Sequence, residues 1–266
     1  MAFPIQQMTS KLRKYIAEQP HTPNGFRYKT PILVSDSKGF TIRNACQDDK
    51  FPVESWCISG AQTSVLVDLI EKRISKAITR HHHIIIYLWS GTCDLTCKKG
   101  KYISLRHQNN KTVNCILDQY HRAIRIVAQH PRAEIKFIDC PILSIVNYNQ
   151  YKGHDKPEIF KVEDFQVTRQ IKALNSEILK LNDSLNKKTI NISKYFFRGR
   201  KIKRGGTRKS VNITINKKDG IHPGKLISLA ITKHILLDTY KECYQVVHES
   251  EIIQLHVEEE ELLTLF

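Results

Sequence analysis

Residues 31–39 read PILVSDSKG, an apolar run from Ile32 to Val34 that breaks abruptly into Ser35, Asp36, Ser37, Lys38 and Gly39. A buried parallel strand looks like this where it leaves its sheet and delivers a hydroxyl to the carboxyl edge. The same residues also describe a strand followed by a helix cap, because Ser and Asp oxygens accept hydrogen bonds from the first N–H groups of a helix. Whether Ser37 caps or attacks depends on what the rest of the chain brings to it.

The nearest complement stands 180-odd residues away, in DGIHPG at 219–224. Asp219 precedes His222 by three residues, with Gly220 between them and Pro223 after, which is a turn opening into a helix. Serine, histidine and aspartate are the parts of an activated acyl-transfer nucleophile. An Asp-x-x-His pair is also an ordinary surface turn. Two segments in between follow the same strand-end pattern: WCISGAQ, with Gly60, and IIIYLWSGTCDLT, with Gly91, Thr92, Cys93 and Asp94.

Apolar periodicity supplies the frame. Strands are expected at 31–35, 53–58, 84–89 and 134–139, with a fifth at 189–196; residues 84–89 are unbroken apolar, as in a strand covered on both faces. Leu66, Ile70, Ile74 and Ala77, then Ile116, Tyr120, Ala123 and Val127, then Val167, Ile171, Leu174, Ile178 and Leu181 recur at helical spacing. A last helix is expected over 223–244. Residues around Lys98, Lys99 and Lys101 read as a polar loop, and 141–163 as an irregular link. Strands alternating with helices imply a parallel α/β sheet with right-handed crossovers and helices on both faces. Residues 1–29 read as an N-terminal arm, 30–244 as the domain and 245–266 as an acidic tail.

The four strand-end blocks resemble those of the SGNH (GDSL-type) hydrolases, over roughly 30–244. That resemblance implies a flavodoxin-like three-layer sandwich with a mostly parallel five-stranded sheet. It implies Ser37 as nucleophile with Asp219 and His222 completing the triad. It also implies an oxyanion hole built from the Ser37 and Gly60 N–H groups and the block-three position. The family carries asparagine there and this chain carries Cys93, a weak donor; Ser35 stands where the family starts with glycine. The pairing of SDSKG with GTCDLT also resembles SGNH-type modules of animal retroelements. The activity implied is a serine esterase acting on a small acyl ester without metal or organic cofactor. Asp36 and Asp94 read as loop-bracing or capping carboxylates.

Charge points to a different partner. Forty-two Lys+Arg against 26 Asp+Glu leave a formal net charge of +16, which favours anionic partners such as nucleic acid or an acidic membrane surface. The densest segment, KYFFRGRKIKRGGTRKS at 194–210, holds Arg198, Arg200, Lys201, Lys203, Arg204, Arg208 and Lys209 beside aromatic residues. Such a segment neutralises phosphates, carries a nuclear address, or is simply a solvated face. A catalytically weak SGNH-like module that binds nucleic acid is therefore the alternative to the esterase.

No apolar run approaches a membrane span, and the first residues lack the apolar core of a secretory signal. Seven cysteines, an odd number, suggest reduced thiols in a cytoplasmic or nuclear setting. His81, His82 and His83 adjoin a helix end, and Cys93 with Cys97 has no second matching pair, so no metal site is expected.

Overall fold

The computed structural model describes residues 5–18, 20–45, 53–201, 207–211 and 219–246. Helix α1 (Ile5–Ala17) and the short strand β1 (Gly25–Arg27) lead into β2 (Thr30–Ser35) and α2 (Ser37–Ala45). Next come β3 (Glu54–Cys57), α3 (Thr63–His81), β4 (Ile84–Trp89), the short α4 (Thr92–Leu95), β5 (Thr96–Lys99) and β6 (Tyr102–Leu105). The chain continues through α5 (Lys111–Ala128), β7 (Ala133–Phe137), α6 (Ile145–Tyr151) and α7 (Lys161–Ser184). It finishes with β8 (Phe197–Lys201), β9 (Thr207–Val211), α8 (Lys225–Cys243) and β10 (Tyr244–Val246).

β2, β3, β4 and β7 form a parallel sheet in the order β3-β2-β4-β7. Both β2 and β4 are buried along their whole length, which their unbroken apolar runs require. The chain steps from β2 to one neighbour, β3, and then crosses to the other, β4. With right-handed crossovers this puts α2 on one face and α3 and α5 on the other. Accordingly, α3 packs beside α5, while α2 packs beside α8, with α1 against α8. Because the connections diverge at β2 and β4, the carboxyl ends of these strands open a crevice. The fold is therefore the flavodoxin-like α/β sandwich expected.

The fifth strand is not formed. Residues 189–196 contribute one isolated parallel bridge, Ile138 to Ile190, and then turn into a 3-10 helix at Ser193–Phe196. Two side chains of α7 take the edge instead. The Asn182 amide bonds both the N–H and the C=O of Phe137 (2.9 and 2.8 Å), and Asn175 does the same for Cys140 (2.7 and 2.9 Å). Each amide offers the donor and acceptor that a neighbouring backbone would have offered. Asp139 then captures the N–H groups of Ile192 and Ser193 (2.7 and 3.0 Å), so these are lost to a ladder.

Two loops are more ordered than their composition suggests. Residues 96–105 form the antiparallel β5–β6 hairpin, turning at Gly100 with φ +62°. The link at 141–163 holds α6 and a 3-10 turn at Pro157–Phe160. β10 pairs with β1 across the chain ends, Phe26 opposite Gln245. The acidic tail beyond Val246 lies outside the described residues, as do Lys203 and Arg204.

Candidate active site

Ser37 is the first residue of α2, directly past β2, at the crevice where the connections diverge. Its N–H is among the helix's first four, which have no partner inside the helix. Gly39 keeps α2 close to the sheet: a Cβ there would lie 2.4 Å from Cys57 Sγ and 2.9 Å from Ser35 Cβ. The structure brings His222 to this serine, with Nε2 2.9 Å from Ser37 Oγ. On the other ring nitrogen, Nδ1 lies 2.5 Å from Asp219 Oδ2. Burial pushes the Asp219 carboxyl up, but the His222 contact and two N–H donors outweigh it and hold the pKa below the usual carboxylate value. Ionised Asp219 accepts from Nδ1–H, which leaves Nε2 free to accept the Ser37 hydroxyl proton.

The loop carrying Asp219 and His222 is held both from within and by α6. Asp219 Oδ1 accepts from the N–H groups of Ile221 and His222, both at 2.9 Å, so the aspartate folds its own loop. Gly220 adopts φ +68°, and a Cβ there would meet Asn147 Cβ at 2.7 Å and Ser144 O at 2.8 Å. Its carbonyl accepts from Ser144 N–H at 2.8 Å, docking the loop on the first turn of α6. Asp164 of α7 secures that turn in its own right, accepting from Ser144 Oγ (2.7 Å) and from Ile145 N–H (2.5 Å).

Behind the serine lies an ion pair. Asp36 and Lys38 are both buried, at 0% and 1% exposure, and their charged groups are in direct contact. Burial alone would lower the Lys38 pKa, but the Asp36 carboxylate overcomes it and raises the value. The Cys93 thiol donates to the same carboxylate, Sγ to Oδ2 3.6 Å. Burial, with Asp36 adding to it, pushes this thiol up to about 12, so it keeps its proton. The thiol hydrogen is thus spent on Asp36.

Gly60 sits in an exposed turn past β3 with φ +72°, a conformation that favours glycine. Ile58 N–H ties this turn to Ser35 O (3.0 Å), at the end of β2. Asp94 proves to be a remote helix cap. Its carboxylate accepts from the Thr63 N–H (3.0 Å) and hydroxyl (2.8 Å), satisfying the start of α3, where the N-cap Gln62 makes no side-chain cap bond. Arg106 braces the other end of α4 through the carbonyls of Asp94 (2.6 Å) and Thr96 (2.9 Å).

The sequence missed Lys38, Arg106 and Asp164 as supports. Lys38 read as a polar residue ending a strand, and only its burial reveals the ion pair. Arg198, Arg200 and Lys201 lie on β8, and Arg208 and Lys209 on β9, in a hairpin whose register sets Arg200 opposite Arg208. His81 at the end of α3 pairs with Glu54 (2.7 Å). Cys97 Sγ lies in the β5–β6 hairpin, 3.5 Å from Ser104 Oγ. No helix among the described residues is long and apolar enough to cross a membrane.

No family model and no curated protein matches this chain. Among solved structures, a GDSL-like lipase from Bacteroides thetaiotaomicron is 15% identical, with 89% of this chain and 97% of that chain covered and a TM-score of 0.53. A structure from Bacteroides fragilis described as an acylhydrolase is 13% identical, covering 90% of this chain and 96% of that one, also with a TM-score of 0.53. At such identities the likeness is one of fold, and the fold is that of the SGNH, or GDSL-type, hydrolases.

Proposed function

We propose that this protein is a serine ester hydrolase working through Ser37, His222 and Asp219. The observation that carries it is the continuous hydrogen-bonded line from Ser37 Oγ to His222 Nε2 (2.9 Å) and from His222 Nδ1 to Asp219 (2.5 Å). Ser37 Oγ attacks the ester carbonyl carbon while its proton passes to Nε2. The tetrahedral oxygen carries the negative charge and accepts from the N–H groups of Ser37 and Gly60. Collapse breaks the bond to the alcohol, which leaves with the proton from Nε2. Water then attacks the acyl-Ser37 ester by the same proton route and releases the acid.

Hydrolysis of a short-chain aryl ester by purified protein, with covalent labelling by a fluorophosphonate mapped to the peptide holding Ser37, tests the proposal. Ser37→Ala should lose both labelling and turnover while melting like the wild type. His222→Ala should lose turnover to a similar degree, because triad members act as a unit. Wild-type turnover in a pure Ser37→Ala preparation would rule the mechanism out.

A further inference from the structure

The catalytic reading uses the first turn of α6 and leaves the exposed residues that follow this helix without a role. There the surface is both apolar and basic. Ile159, Val162 and Phe165 are 64%, 66% and 65% exposed and follow one another at steps of three along the 3-10 turn and the start of α7. One side of a helical stretch is what such steps define. Tyr151, at the end of α6, adds another ring at 54% exposure.

Aromatic contacts join this row to the β5–β6 hairpin. The His154 ring lies edge-on to Phe160 (5.1 Å) and to Tyr102 (4.6 Å), and Tyr102 OH donates to Gly153 O (3.1 Å). Six exposed lysines lie on the elements that meet here: Lys98, Lys99 and Lys101 on the hairpin, and Lys152, Lys156 and Lys161 on the end of α6 and its continuation. Lys101 and Lys152 lie over the rings of Tyr102 and Tyr151, at 5.2 Å each. Of the two nearby exposed acids, Asp155 and Glu158, the second pairs with Lys161 at 3.7 Å.

We propose that this face docks on an anionic lipid bilayer. Exposed apolar side chains on elements that also carry lysines can enter the headgroup boundary while the ammonium groups meet lipid phosphates and carboxylates. A protein partner that buried this apolar row would have to bring matching acids to six separate lysines; a bilayer presents negative charge everywhere. The position is also apt. The first turn of α6, a helix seven residues long, holds the Asp219–His222 loop, so Tyr151 at the other end is about 10 Å of helix from that loop. If the hydrolase reading holds, the substrates in reach are acyl esters of lipids in that bilayer, and only this last clause rests on it.

Co-sedimentation of the full chain with phosphatidylcholine vesicles, with and without phosphatidylserine, tests the docking. Binding should be about tenfold or more tighter on the serine-containing vesicles and weaken with salt. V162D/F165D should lose most of the binding, and K98E/K99E/K101E should lose the preference for anionic lipid. Both should melt and hydrolyse a soluble aryl ester as the wild type does, since none of these residues touches the triad. Equal binding to both vesicles, or unchanged binding in both variants, overturns the proposal. So does concentration-dependent self-association that V162D/F165D abolishes, because the row would then join two copies. Vesicle binding by a chain that hydrolyses no ester would sink the hydrolase assignment alone.

Discussion

Asp36 receives more than its neighbours' positions suggest: a buried ammonium from Lys38, that residue's own N–H, and the Cys93 thiol. Truncating Lys38 to Met therefore strands a carboxylate in the interior, and urea unfolding should show a loss of about 3–5 kcal/mol. The double variant Asp36→Asn/Lys38→Met should cost clearly less than the sum of the singles, because it removes both charges. Equal additivity would mean that the two groups do not depend on each other. At Cys93 a substitution can add a donor. An asparagine amide has two N–H donors, enough to keep a bond to Asp36 and offer one to the oxyanion. Cys93→Asn should raise turnover of an aryl ester by about tenfold to a hundredfold, and Cys93→Ala should change it little. A folded Cys93→Asn variant slower than wild type would give the thiol a role of its own.

At the scale of elements, α7 completes the sheet with two amides, an arrangement that periodicity cannot reveal. Asn175 and Asn182 stand seven residues apart, two turns of one helix face, among the apolar positions that identified the helix. They read as polar interruptions, and the alternating TINIS of residues 189–193 read as a strand. The central strands were legible because β2 and β4 are apolar throughout; the sheet edge was not, since its partner is a side chain. Asn182→Leu leaves the Phe137 N–H and C=O unpaired and should cost about 2 kcal/mol or more in denaturant titrations. Ser37, Asp219 and His222 were legible as strand-end and turn chemistry. Their supports were not, because Gly220 shows its value only against α6. Gly220→Ala forces a Cβ onto Asn147 and Ser144. A displacement of the loop by about 1 Å should lower turnover roughly a hundredfold with little change in KM; unaltered turnover would show that the loop has slack.

Over the whole molecule, buried charge sets the response to pH. Lys136, wholly buried in β7, reaches Asp238 (2.7 Å) and Glu242 (3.0 Å) on α8, while Lys187 joins Glu242 (2.8 Å) to Glu134 (2.6 Å). Burial pushes Glu134 and Glu242 up, but these lysines outweigh it and hold both below the usual value of 4.5. Their contribution is therefore present above that value and is lost as pH falls through the folded-state pKa. Asp139 acts in the opposite sense. Burial raises it from 3.8 to about 6, so its stabilisation is full below 3.8 and disappears as pH rises through 6. The rise corresponds to about 3 kcal/mol. Urea midpoints measured between pH 4 and 7 should show the wild type losing ground to Asp139→Asn as pH rises; a constant gap would mean that Asp139 titrates normally. The distance along the chain between Ser37 and His222, 185 residues, has a consequence during synthesis. A ribosome releases Ser37 long before His222. The growing polypeptide can complete the β3-β2-β4-β7 sheet by Phe137 while Ser37 still lacks its histidine partner, so the proposed nucleophile stays inert until residues 219–222 have emerged and docked on α6.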